Sequence, residues 1–296
     1  MTLLNKKARG KRFYKIEDRE IYLQACKQVS VNPNNDNELE INSKQEKFLK
    51  EFVDTLTMDK KLKELDEVLS SLTTTFREDN QGTPQWKFER LGFISGSNNP
   101  FTTNGKLVPS WKEIASQKAV ELFYKNISNY DLKEEIEITD LAGVKKTPAM
   151  KRGNRLEVEA RKKYIAQTGY IPSSYGFCTL NQYHLGSSVD NIVTDPKSFD
   201  DIYAEYKSPS LKTYLDNLKY KKQVSKYYAQ LQIGMLVMGV KKADLVIFYP
   251  QMRLQIERVE FDKEYIANLI ESLKAYELEL ERGLELLYFN MDLEDF

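Results

Sequence analysis

Glu205 and Lys207 flank Tyr206 in the run IYAEYKS (202–208), and Asp190 closes the apolar run of GSSVDNIV (186–193). Strand geometry alternates side chains between two faces, so Glu205 and Lys207 share one face while Tyr206 takes the other. The connecting stretch carries Asp195–Pro196, a turn signal, and is long enough to fold back beside the first run. Two carboxylates and an amine then converge at one sheet end. Unpaired charge in a low-dielectric site costs several kcal/mol, so such a group needs a partner or a task. Carboxylate oxygens suit a hard cation such as Mg²⁺, which keeps waters and adds phosphate oxygens as ligands. The lysine can orient or deprotonate a coordinated water, or offset charge developing on a phosphate. An Asp followed at a loose distance by ExK is a weak signal by itself. In a chain rich in Lys and Glu, salt-bridged surface strands explain it equally well.

Three further segments add to it. RGNRLEVEA (152–160) places Glu157 on a helix, with Glu159 turned elsewhere to pair with Lys163 one helical turn on. YYAQLQ (227–232) sets Gln230 and Gln232 into an apolar helix, where buried amides need partners. WKFERLGFISGS (86–97) places Arg90 before a Gly/Ser turn rich in donors, a cradle for a terminal phosphate.

The elements that would hold these groups follow from composition and pattern. The chain has 296 residues, 41% hydrophobic and 30% charged, which suits a globular protein with a buried core in one large or two ordinary domains. It lacks the apolar run of about 18 residues that a membrane span needs. Its basic start, MTLLNKKARGKRFYK, has no apolar segment of a secretory signal. Cys26 and Cys178 exclude a disulfide framework, a four-cysteine zinc site and an iron–sulfur cluster held by this chain alone. The cytoplasm is the expected compartment. The one histidine, His184, near a strand start, reads as structural, since a Ser-His-Asp triad would have to use it. Net charge is zero, so phosphate binding must use local patches such as KKTPAMKRGNR (145–155) and KYKKQVSK (219–226). Either patch alone reads as a solvated face.

Residues 1–80 read as an N-terminal helical extension, with a helix over 43–72 capped by Ser43 and using Phe48, Phe52, Leu56, Leu62, Leu65 and Leu69. Lys6, Lys7, Arg9, Lys11 and Arg12 read as a solvated tail, the alternative being a DNA or partner contact. Residues 86–296 form the second domain. Helices are expected over 110–126, 150–169 (stopped by Gly169), 211–239 (stopped by Gly239) and the C-terminal segment. Strands are expected in YIPSSYGFCTL, YHLGSSVDNIV, DIYAEYKS, ADLVIFYP and LQIERVEFD. The fold class is α/β, a central mixed sheet flanked by helices.

The order W-x(3)-R-x-G-x-I-S-x-S, RGxxxE, D…ExK, YxAQxQ resembles the phage lambda exonuclease family, the YqaJ-type viral recombination nucleases of the PD-(D/E)xK superfamily. The resemblance runs from Trp86 to about residue 285. It implies a restriction-endonuclease-like core and a Mg²⁺-dependent 5′→3′ exonuclease, with Mn²⁺ as a substitute metal and two ions per site. Such an enzyme degrades one strand from double-stranded DNA ends and leaves 3′ overhangs for recombination by strand annealing. By the same resemblance Asp190 bridges the metals, Glu205 and the Tyr206 carbonyl add ligands, and Glu157 completes the second position. Lys207 assists the attacking water, Gln230 packs beside the site, and Arg90, Ser95 and Ser97 hold the 5′-phosphate. The implied partners are a single-strand annealing protein and further copies of the chain in a ring, commonly a trimer, with no membrane. The implied setting is a bacterial host cell, the chain being phage or prophage encoded. The family's Pro and Gly around the first aspartate are Val189 and Asn191 here. The connection to Glu205 is longer than in the phage lambda enzyme, so Asp195, Asp200 and Asp201 compete with Asp190, which is favoured by its apolar neighbours Val189, Ile192 and Val193. Two other readings remain: a structure-selective endonuclease of the same superfamily, and a non-catalytic DNA-binding relative.

Overall fold

The basic N-terminal stretch, expected to be a solvated tail, instead builds a hairpin in which β1 (Thr2–Ala8) pairs antiparallel with β2 (Lys11–Lys15). The computed structural model describes residues 1–8, 11–78, 81–96, 98–127 and 148–291, in two units, Met1–Ser71 and Leu72–Phe296. In the first unit Asp18 caps α1 (Arg19–Val29), accepting from Glu20 N (2.9 Å) and Ile21 N (3.1 Å). Strand β3 (Glu38–Asn42) adds antiparallel to β2. The expected long helix follows as α2 (Ser43–Ser71). Its cap is Asn42, which accepts from Gln45 N (3.1 Å) while Gln45 Oε1 accepts from Asn42 N (3.2 Å). The buried stripe of α2 keeps the expected Leu65, with Phe52 and Leu56 packed against the core, but its N-terminal part is shifted by one residue. Leu49 and Val53 enter the core with Tyr14, Tyr22, Leu39 and Ile41, whereas Phe48 is 55% exposed. The extension is therefore an α+β unit. Its strands escaped the helical reading because five of the twelve residues of β1 and β2 are Lys or Arg, and hairpin pairing supplies the order that these residue types do not.

The second unit opens with β4 (Thr74–Thr75), α3 (Pro84–Glu89), β5 (Ile94–Ser95) and α4 (Trp111–Ile127). After α5 (Pro148–Thr168) come β6 (Ile171–Ser173), β7 (Phe177–Leu180), β8 (Leu185–Ser188), β9 (Asn191–Thr194) and β10 (Asp201–Lys207). The predicted 211–239 helix is two helices, α6 (Leu211–Tyr220) and α7 (Lys222–Met238), parted at Lys221, whose φ of 49° is left-handed. Strands β11 (Lys242–Ile247) and β12 (Gln255–Glu260) and helix α8 (Lys263–Phe289), which packs along α4, complete the unit.

The strands form two sheets. A five-stranded mixed sheet has the order β12-β11-β10-β9-β6, with β10 and β11 parallel and the other pairs antiparallel. A second sheet has the order β4-β7-β8-β5. The run YHLGSSVDNIV, expected as one strand, breaks at Val189–Asp190, so β8 lies in one sheet and β9 in the other. Register then fixes what meets what, since Asn191 faces Ala204 and Thr194 faces Asp201 across the β9–β10 hairpin. Strand β10 is covered on both faces. Ile202, Ala204 and Tyr206 pack with Ala160 and Tyr164 of α5, and burial of the Ile202 side chain alone contributes on the order of 1.5–3 kcal/mol. The opposite face presents Tyr203 and Glu205 to α7, where Gly234 leaves room for the Tyr203 ring.

Candidate active site

The alternation within β10 sets Tyr203, Glu205 and Lys207 on one face, and all three are joined. Glu205 is 2% exposed. Its Oε1 accepts from the Lys207 ammonium and from Gln230 Nε2 (2.6 Å), and its Oε2 accepts from the Tyr203 hydroxyl. The Lys207 ammonium also lies 4.9 Å from the Tyr227 ring centroid. Gln230 and Tyr227 come from neighbouring turns of α7, as the spacing in YYAQLQ requires. Gln232 is instead structural, bridging Glu260 O (2.9 Å) and Asp262 N (3.0 Å).

Asp190 stands where the chain leaves one sheet for the other. Its Oδ2 accepts from Tyr206 N (2.9 Å), which sets the carboxylate against the backbone between Glu205 and Lys207. Its carbonyl accepts from Arg161 (2.7 Å), and the same guanidinium reaches Glu157 Oε1 (3.3 Å). The competing acids are occupied by the hairpin turn. Asp195 accepts from Lys197 N (2.9 Å), Asp200 pairs with Lys242 (2.7 Å), and Asp201 accepts from Thr194 (2.6 Å). Glu159 pairs with Lys163 (3.5 Å), as expected.

These carboxylates feel one another. Burial, then the charges of Glu205 and Glu157, push Asp190 well above the ordinary carboxylate range. Burial likewise raises Glu157, Arg161 opposing and Glu205 reinforcing the shift. For Lys207, burial works against the ammonium, but the charges of Glu205 and Asp190 outweigh it and hold the pKa above its usual value. Among the described residues no three acidic, imidazole or thiol groups are gathered tightly enough to hold a metal alone. The donors are hard oxygens of adjacent carboxylates, with neither imidazole nor thiolate. That set does not fit zinc. It fits a Mg²⁺-type ion, which binds through one or two carboxylates and keeps water or phosphate on its other positions.

A second group adjoins this one. Arg90 is largely buried, with Trp86 and Phe177 rings at 4.3 and 5.6 Å, and its guanidinium donates to the Ser95 hydroxyl (3.4 Å). Burial lowers its pKa, and Glu121 offsets this. Glu121 is itself held by Lys118 (2.7 Å) and Gly92 N (3.1 Å). The Trp86 indole N–H is buried without an acceptor among the described residues, a donor left to be satisfied beside Arg90. A Cβ at Gly96 would stand 3.1 Å from Gln230 Cγ, so the Ser95–Gly96 backbone lies against the residue that contacts Glu205. Ser97 falls outside the described residues.

Sequence reading missed Tyr203, Tyr227 and Arg161. Tyr203 is two residues before Glu205 on the same strand face, and Arg161 is one helical turn after Glu157, so both periodicities held the signal. His184 is structural, its ring Nδ1 and backbone N each 2.7 Å from Glu277 carboxylate oxygens. It lines a cavity of about 640 Å³ with Phe93, Arg77 and Lys274, in which Glu157, Asp190 and Glu205 take no part.

A family model, the YqaJ-like viral recombinase domain, matches residues 85–241. Among solved structures the chain is similar to the alkaline exonuclease LHK-Exo of Laribacter hongkongensis (24% identity, TM-score 0.53, covering 70% of this chain and 96% of that one). A weaker likeness is to a phage-related exonuclease of Haemophilus somnus 129PT (15% identity, TM-score 0.44, covering 68% and 94%). No curated protein is a significant match. Among the described residues no helix is long and apolar enough to cross a membrane.

Proposed function

Because the chain belongs to the YqaJ-like viral recombinase family, we propose that it is a Mg²⁺-dependent 5′→3′ exonuclease acting on double-stranded DNA ends. The observation that carries this is the joined set of Glu205, Lys207 and Gln230, with Asp190 bonded to the backbone between Glu205 and Lys207. Asp190, Glu205, the Tyr206 carbonyl and Glu157 would hold the metal. When bound, Mg²⁺ would acidify a coordinated water and neutralise the scissile phosphate.

The protein's own groups divide the remaining tasks. Glu205 and Tyr227 fix the Lys207 ammonium on the site face, where it can orient the attacking water or offset charge growing on the phosphate. Gln230 and Tyr203 prevent Glu205 from turning away. Arg90, Ser95 and the Trp86 N–H would take a terminal 5′-phosphate, and contact through Gly96 and Gln230 would set the distance from that end to the cut. The product would be a 3′ single-stranded overhang, a substrate for a strand-annealing protein. A ring of copies around the duplex would keep a chain of zero net charge on DNA without salt-sensitive attraction.

The test is digestion of 5′-phosphorylated linear duplex, labelled at either end, in Mg²⁺ and in EDTA, beside a covalently closed circle. Mononucleotides released from the 5′ end of linear DNA alone, and only with metal, are expected. Equal cutting of the circle would replace this reading with an endonuclease.

A further inference from the structure

The geometry points to a single-stranded DNA contact surface at the α6–α7 junction, formed by Lys219, Tyr220, Lys222 and Lys226 and running toward the candidate active site. It rests on the nuclease reading only for its purpose, which is to carry the strand that is not degraded.

All four side chains are exposed, Tyr220 by 60%. Two of the three lysine ammonium groups sit on aromatic faces, Lys222 over Tyr220 (5.0 Å) and Lys226 over Tyr227 (5.1 Å). Tyr227 is shared with Lys207 of the acid–lysine group, so the patch and that group are continuous. Lys221 is already paired with Glu257 (3.3 Å), whereas Lys219, Lys222 and Lys226 have no carboxylate partner among the described residues. The charges are also placed against local preference. Lys221 and Lys222 stand at the positive end of the α7 dipole, and its first turn holds no acid. A sequence that breaks a local rule at an exposed site commonly does so for function. Cations interleaved with exposed rings suit a ligand that offers phosphate charge and unstacked base faces together. That is single-stranded nucleic acid; a duplex hides its base faces.

Fluorescence anisotropy of a labelled single-stranded oligonucleotide, in EDTA so that no cleavage intervenes, tests this against a duplex of equal length. Tyr220→Ala is expected to weaken single-strand binding about tenfold and Tyr220→Trp to preserve it, with duplex affinity unchanged in both. Lys222→Ala and Lys226→Ala should each make the log–log salt dependence of single-strand binding shallower by about 0.7. Single-strand binding by Tyr220→Ala equal to wild type overturns the inference, as does an equal loss on both ligands. Nucleotide release is scored separately. Wild-type protein that releases nothing yet binds single strands through Tyr220 defeats the nuclease reading and leaves the surface standing.

Discussion

Gly234→Ala tests the link between helix α7 and the acid–lysine group with one methyl group. In a helix interior this change should stabilise by about 1 kcal/mol. Here the new Cβ would stand 2.3 Å from Cε1, 2.8 Å from Cδ1 and 3.0 Å from Cζ of Tyr203. The ring is fully buried and its hydroxyl is tied to Glu205, so it has little freedom to move aside. Overpacking of this kind costs about 1–3 kcal/mol. If the ring shifts and its bond to the carboxylate breaks, about 1.5–3 kcal/mol more is lost. The net expectation is destabilisation by roughly 1.5–5 kcal/mol, or about 2–4 °C in Tm per kcal/mol for a unit of this size. Urea unfolding followed by circular dichroism reads the first quantity, and nucleotide release from linear duplex reads the accompanying displacement of Glu205. A Tyr203→Leu background should relieve much of the loss, since the two sites are in contact. A Gly234→Ala protein more stable than wild type by the helix-propensity gain, with unchanged release, would refute the reasoning.

Lys207→Ala should lower nucleotide release by about 10²–10⁴-fold while circular dichroism shows the chain still folded; release at the wild-type rate would remove Lys207 from the site. Asp244→Ala should destabilise the second unit by about 3 kcal/mol in urea, because Asp244 is 1% exposed and is the shared partner of Tyr164 (2.6 Å) and Arg258 (3.0 Å at Oδ2). A loss of unfolding free energy below about 1 kcal/mol would count against the pairing. The Asp18 carboxyl is held below its ordinary range by Lys60, with the Ile21 and Glu20 N–H groups helping. A depressed folded-state pKa means that this stabilisation is fully present above the ordinary value of about 3.9 and is lost as pH falls through the depressed one. Acid titration should therefore loosen the first unit on the low-pH side, and Asp18→Ala should flatten that limb and cost about 1 kcal/mol at neutral pH; an unchanged acid limb would contradict it.

Much of the second unit was readable because strand and helix periods carry the site. Period two placed Glu205 with Lys207, apolar flanks favoured Asp190 over the turn acids, and the α7 pattern delivered Gln230 to Glu205. What escaped had tertiary causes. The break at Val189–Asp190 is a switch between sheets within one strand-like run, with neither glycine nor proline at the break. Lys221 parts α6 from α7 with neither glycine nor proline to announce it. The N-terminal hairpin is ordered by pairing rather than by hydrophobic alternation, so composition pointed to a tail.

The β9–β10 register also explains why the long Asp190–Glu205 connection does no harm. Asn191 lies opposite Ala204, so the residues just beyond this pair are Asp190 and Glu205, whatever number of residues closes the far end. The turn at 195–200 is thus mechanically decoupled from the acids, much as the bow of a hairpin can be widened without parting its tips. Length there is free to drift over evolutionary time, and alignment gaps in that stretch carry no information about whether the two carboxylates still meet.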